Sequence, residues 1–195
     1  MAREAEKRNE DREVPVEKKL DDLYGLIEGI ETCMLTTRRP DGQLVSRAMQ
    51  VQKRKDGTAD LWFMTSSDTH KLDELETDPH VNCAFYKDGT REWISVSGTA
   101  RVSQDRDTIH ELYQADWRAW LGDEGGAKDG SADDPRIVLI FVEAQSVTYL
   151  KKDRPTPVIL FSIAKAMVTG TPPKAGDLRH VGDRELDHGV ARETR

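Results

Sequence analysis

Two short stretches hold the residues best suited to bind a ligand. In Arg47-Ala48-Met49-Gln50-Val51 a guanidinium interrupts a run that otherwise reads as a core strand. Strand side chains alternate between faces, so Arg47, Met49 and Val51 share one of them. A guanidinium on the buried side needs an anion, which either a carboxylate of the chain or an anionic ligand can supply. The second stretch, Trp62-Phe63-Met64-Thr65-Ser66-Ser67-Asp68-Thr69-His70-Lys71, runs from the end of a strand into the start of a helix. Hydroxyls and amides at a helix start form a natural phosphate site, to which Lys71 adds a cation. The same residues also suit plain capping by Ser67 or Asp68, with Lys71 in solvent.

Other chemistries find little support. The five histidines (His70, His80, His110, His180, His188) show no metal spacing, and no metal is expected. No Gly-rich phosphate loop or nucleophile elbow is present, and no catalytic acid or base can be nominated. Cys33 and Cys83 read as two buried thiols in a reducing cytoplasm. With 29 basic against 36 acidic residues the net charge is −7, which disfavours nucleic-acid binding. No apolar run approaches a membrane span and no secretory leader is expected, so the chain reads as cytoplasmic.

The elements that must position these stretches follow from periodicity. Leu20, Leu23, Tyr24, Ile27 and Ile30 mark an amphipathic helix over 16–30. Strands are predicted over 32–37, 44–52, 59–65, 81–86 and 93–102, joined in part by the Asp-Gly turns at 41–42, 56–57 and 88–89. Gly98 within the fifth suggests a bulge or a close backbone approach. Helices are predicted over 66–76, 105–121 and 158–168, and last strands over 136–143 and 146–150. The glycine- and acid-rich stretch 122–135 reads as a solvated loop. Residues 1–17 form a charged extension, 18–169 one domain and 170–195 a polar tail. Short antiparallel strands with interposed helices suggest a small barrel.

The order of these parts resembles the pyridoxamine 5′-phosphate oxidase-like FMN-binding split barrels, above all their general stress protein branch. It comprises an Arg on a hairpin strand, an aromatic-Met-Thr strand end, Thr-x-Lys opening a helix that stops at Asp78-Pro79, and Trp93-Ile94-Ser95-Val96-Ser97-Gly98-Thr99-Ala100. The resemblance spans about residues 18–169. It implies a mainly β fold with flanking helices, built on a six-stranded antiparallel split barrel, and a homodimer with FMN at the interface. Carried over by position, Arg47, Lys71 and Thr69 hold the phosphate, and Met64 and Thr65 line the flavin. The backbone of Ala48, Met49 and Gln50 meets the ring edge.

Three departures from the family pattern bear on function. His70 and Trp93 stand where the true oxidases carry an Arg and a flavin-reaching Gln; Trp93 either meets the flavin of the other subunit or fills the dimer interface. The C-terminal Arg-x-His that binds substrate in those oxidases is not found here, so oxidation of pyridoxamine 5′-phosphate is not expected. The resemblance therefore implies a flavin-dependent oxidoreductase acting on an unknown small molecule. The alternatives are a non-enzymatic flavin-binding stress protein, or a related barrel holding FAD, F420 or haem. Trp117 and Trp120 either pack on the barrel or cover its pocket.

Overall fold

A computed structural model describes residues 14–52, 59–152, 170 and 176–186 of the chain. Its centre is one antiparallel sheet. Strands β1 (Thr32–Arg38) and β2 (Leu44–Gln50) form a hairpin around Asp41-Gly42, where Gly42 sits at φ +85°, a conformation that glycine adopts without strain. β1 also pairs with β4 (His80–Lys87), and β4 with the long β5 (Glu92–Ser103). β5 pairs along almost its whole length with β6 (Ile137–Lys151), whose other edge is shared. The first half of β6 takes β3 (Leu61–Ser66), and the second half takes β7 (Asp177–Gly182).

The two ends of this path, β2 and β3, nearly meet. Val51 bridges Phe63, and the Gln52 amide donates to the Trp62 carbonyl at 2.8 Å. The sheet thus curls into a barrel that is not zipped shut. The mainly antiparallel β architecture with flanking helices agrees with expectation, but among the described residues the strands number seven rather than six.

The seventh comes from the segment read as a polar tail. Its inward positions are Asp177, Arg179 and Val181, so charged residues mask the strand alternation. Those charges meet α1 (Val16–Glu28), which buries Leu20, Leu23, Leu26 and Ile27 on the sheet. Arg179 Nη1 donates to Asp22 Oδ2 at 2.6 Å, and Lys151 pairs with the same carboxylate. Lys19 Nζ reaches Glu185 Oε1 at 3.0 Å, and the Tyr149 hydroxyl donates to the Lys19 carbonyl at 2.8 Å. Burial pushes the Tyr149 hydroxyl up to about 12, which keeps it a donor.

Three further expectations are corrected. The strands predicted over 136–143 and 146–150 are one strand, because the polar break between them is a bulge and not a turn. Ser97 faces Ser146 while Gly98 faces Ala144, leaving Gln145 as the extra residue. A Cβ on Gly98 would lie 2.0 Å from the Glu143 carbonyl oxygen, so the close approach signalled by that glycine is real. The helix predicted over 105–121 is two: α3 (Arg106–Leu112), N-capped by Asp105 onto the Thr108 amide at 2.9 Å, and α4 (Trp117–Leu121). Ile109, Leu112 and Trp117 still share one small core with Ile137 and Leu139, so the apolar pattern reported the burial but not the break.

The stretch 122–135 is not merely solvated. It folds around a buried Asp134 and ends on a buried Arg136. The helix expected over 158–168, and Arg154, lie outside the described residues. Among the described residues no helix is long and apolar enough to cross a membrane, and no three His, Cys, Asp or Glu converge as a metal site.

Candidate functional site

A pocket of about 440 Å3 opens where the ends of β2 and β3, the segment leading into α2 (Lys71–Thr77) and helix α4 come together. That volume lies within the usual range for small-molecule sites, about 300–1,000 Å3. Ala48, Met49 and Gln50 line it from β2, and Met64 and Thr65 from β3. Thr69 and Lys71 line it from the turn that follows. The two stretches separated in sequence are therefore one site. Trp93 is not part of this lining; it is half-buried at the start of β5, facing Tyr86 and Leu150 in the adjoining ladders.

Arg47 lies on the inward face of β2, as alternation requires, and does not itself line the pocket. Its Nη2 donates to Glu74 Oε2 at 2.6 Å, while its Nη1 is buried with no hydrogen-bond partner. The chain's own carboxylate therefore satisfies only part of the guanidinium. The same Glu74 oxygen accepts from the Thr37 hydroxyl at 2.6 Å. Burial works against the Glu74 carboxylate, but the bonds from Thr37 and Arg47 outweigh it and hold its pKa below the ordinary value.

Lys71 makes no ion pair among the described residues. Its Nζ donates to the Thr65 hydroxyl at 2.5 Å, and Thr65 Oγ1 lies 3.5 Å from Thr69 Oγ1. Burial, and then the charge of Arg47, pull the Lys71 pKa down, with Glu74 a partial offset. Two cations thus share one carboxylate beside the pocket. A buried charge excess of this kind is a liability unless an anion joins it.

The helix start is corrected in detail. α2 begins at Lys71 and not at Ser66, and neither Ser67 nor Asp68 caps it; His70 occupies the N-cap position without a side-chain bond. Ser66–His70 form a turn instead, held by Thr69 Oγ1 donating to the Ser66 carbonyl at 3.0 Å and by the Ser67 amide donating to the Arg136 carbonyl at 2.8 Å. In a seven-residue helix the backbone dipole is weak, so the side chains of Lys71, Thr65 and Arg47 carry the anion chemistry.

Helix α4 supplies a wall that sequence reasoning did not assemble. Trp117 is buried at 2% exposure, and its Nε1 donates to Gln52 Oε1 at 3.0 Å. Gln52 in turn donates to the Gln50 carbonyl at 3.1 Å, tying α4 to the end of β2. Arg136 donates to the Leu121 and Gly122 carbonyls, each at 2.9 Å, and so holds the C-terminal end of α4. Both tryptophans line the pocket, but Trp117 is also buried in the core behind it, whereas Trp120 is 80% exposed. Gln52 and Asp116 also line the pocket and were not singled out. Their only signal was proximity to Met49 and to the Trp117–Trp120 pair.

A profile of the family described as pyridoxamine 5′-phosphate oxidase like matches residues 18–174. The chain belongs to that family, and its fold is the family's split barrel. It is 34% identical over 180 residues to the protein bli-3 of Neurospora crassa, covering 91% of this chain and 86% of that one. Among solved structures, a protein of Jannaschia sp. CCS1 described as a general stress protein 26 superposes with a TM-score of 0.66 at 23% identity, covering 85% of this chain and 99% of that one. The general stress FMN/FAD binding protein of Xanthomonas citri superposes with a TM-score of 0.58 at 24% identity, covering 71% and 92%.

Proposed function

We propose that the pocket binds FMN and that the chain is a flavin-dependent oxidoreductase of the general stress branch, acting on a small molecule. The observation that carries this reading is the unbalanced charge at the pocket: Lys71 with no carboxylate of its own, and a buried Arg47 Nη1 with no partner. A phosphate supplies the missing acceptors, and the hydroxyls of Thr65 and Thr69 stand beside Lys71 to complete its shell. Ala48, Met49, Gln50 and Met64 then line the volume left for a flat ring. The FMN/FAD binding of the Xanthomonas citri relative supports a flavin over F420 or haem. When bound, the flavin supplies hydride or electron transfer, while the chain binds and orients it and shields it from water.

The same reading makes the chain a homodimer. Met34, Leu44 and Tyr86 are 44%, 66% and 58% exposed on the outer face of the sheet. Ala48 and Gln50, which line the pocket, are outward positions of the same strand as Leu44. A second copy on this face would cover the apolar residues and finish the pocket wall. Oxidation of pyridoxamine 5′-phosphate remains outside the proposal. The Arg179-His180 pair is no spare substrate clamp, since Arg179 is buried against Asp22.

The test is a titration of flavin-free protein with FMN and with riboflavin, followed by flavin fluorescence. Saturable FMN binding near one per chain is expected, with riboflavin weaker by the phosphate contribution. Light scattering on the same sample should give twice the 22.0 kDa chain mass. No saturable binding at micromolar FMN would overturn the reading. Reduction of the bound flavin by NAD(P)H with turnover on an acceptor separates an enzyme from a protein that only stores flavin.

A further inference from the structure

We propose that the α4 wall is a recognition element of its own, in which the Trp120 indole and the Asp116 carboxylate select a flat, positively charged small molecule as the substrate. The proposal rests on the flavin reading above and names the substrate class for that site. Trp120 is 80% exposed, lines the pocket, and makes no ring contact or hydrogen bond among the described residues. Three residues earlier on the same helix, Trp117 is fully engaged, so the exposure of Trp120 does not come from a loose helix. Trp117 bonded to Gln52, and Arg136 bonded to the Leu121 and Gly122 carbonyls, hold α4 at both ends.

Asp116 precedes that helix and lines the same pocket. Its side chain makes no capping bond and no ion pair among the described residues. Four residues separate it from Trp120, the spacing that places two side chains on one helical face. An indole and a free carboxylate side by side are the chemistry that recognises a planar cation, through the ring quadrupole and direct charge attraction. Arg47 and Lys71, the cations by the pocket, are taken up by Glu74 and the FMN phosphate. The charge left on the pocket wall is then that of Asp116. The net charge of −7 adds a long-range preference of the same sign.

The experiment titrates FMN-loaded protein, oxidised and without reductant, with a matched pair of flat dyes: methylene blue as the cation and anthraquinone-2-sulfonate as the anion. Equilibrium dialysis at low salt reads both. The wild type is expected to prefer the cation. Asp116→Asn should weaken cation binding about three- to fivefold, the scale of one exposed charge pair, and leave the anion unchanged. Asp116→Lys should reverse the preference, and Trp120→Ala should weaken both dyes by a similar factor. FMN affinity is measured in parallel, and the dyes are compared with every variant saturated with FMN. Equal binding of the two dyes by the wild type, or no response to Asp116→Asn, would overturn the proposal. So would a Trp120→Ala variant that loses the dimer, because Trp120 would then belong to the interface between copies. A wild type that takes up no FMN defeats the flavin reading before any dye is added, and this proposal with it.

Discussion

Two arginines stand behind the pocket, the half-buried Arg47 on β2 and the buried Arg136 beneath the end of α4, and they are finished to different degrees. Arg136 is satisfied at every nitrogen. Nε and Nη2 reach Asp134 at 3.1 and 2.7 Å, Nη1 the Leu121 carbonyl and Glu124, and Nη2 also the Gly122 and Lys128 carbonyls. Asp134 in turn accepts from the Gly130 and Arg136 amides. Arg47 has one carboxylate oxygen on one nitrogen, an orphaned Nη1, and a second cation nearby. The difference shows which guanidinium has a donor left for a ligand: Arg136 has none, and Arg47 has its Nη1. Both are paired with a carboxylate, so the pair itself says little. The unfilled donors carry the information.

The sharpest way to break this comparison is to remove the carboxylate that finishes Arg136. Asp134→Ala leaves the buried guanidinium with only the exposed Glu124 carboxylate and backbone carbonyls, and should cost about 3–5 kcal/mol of folding stability, read by urea denaturation. A loss under about 1 kcal/mol would mean that Glu124 and the backbone carbonyls are enough to hold Arg136.

A smaller effect, but a more specific one, is expected on the other wall. Arg47→Ala should weaken FMN by about 2–5 kcal/mol while changing riboflavin little, and should also cost stability by stripping Glu74 of its partner. Lys71→Met should weaken FMN by about 1.5–3 kcal/mol with a smaller stability loss than Arg47→Ala, since Lys71 donates to the Thr65 hydroxyl and not directly to Glu74. If both variants lower FMN and riboflavin affinity equally, the phosphate assignment is wrong and Arg47 is as structural as Arg136.

The smallest effects are in pH. The Lys71 pKa is pulled down in the free protein, whereas a phosphate beside it favours the protonated form. FMN affinity should therefore fall as pH rises through the lowered Lys71 value, with proton uptake on binding just above it; riboflavin should show no such slope. Asp134 and Glu74 are also lowered, but as acids this marks a favoured charged form, where for Lys71 it marks a disfavoured one. The Arg136 hydrogen bond holds Asp134 far below the ordinary carboxylate range. Their contribution is present above the unfolded carboxylate pKa, about 4, and is lost as pH falls through the folded values, Glu74 first. Acid unfolding monitored with and without FMN tests the order.

What the sequence made legible was local. The Asp41-Gly42 turn set the first hairpin, two-residue alternation put Arg47 on the inward face, and the Thr-x-Lys spacing placed Thr69 and Lys71 at one corner. Each of these depends on neighbours within a few residues. Glu74 as the partner of Arg47 was not legible, since a helix carboxylate meeting a strand 27 positions away is a tertiary event. Nor was the wall built on α4, because nothing in the apolar spacing of Ile109, Leu112 and Trp117 marks the break between two helices that share one core. β7 escaped for an electrostatic reason: it buries Asp177 and Arg179, the residue types that normally report solvent.

That last strand has a consequence for the order in which the molecule is made. The Arg179–Asp22 hydrogen bond closes over a sequence separation of 157 residues, and Lys19 to Glu185 over 166. A chain emerging from the ribosome at about 5–20 residues per second cannot form these contacts until positions 179 and 185 have appeared. Until then α1 has no partner for Asp22 on β7, and the second half of β6 offers a bare edge where β7 will lie. Such late, non-local closure is slow, and an open strand edge invites pairing with another chain. The described residues that line the pocket, by contrast, all lie between positions 32 and 121. They therefore leave the ribosome before the clasp that seals the opposite half of the sheet. The pocket lining is thus on hand while the opposite edge of the sheet is still bare.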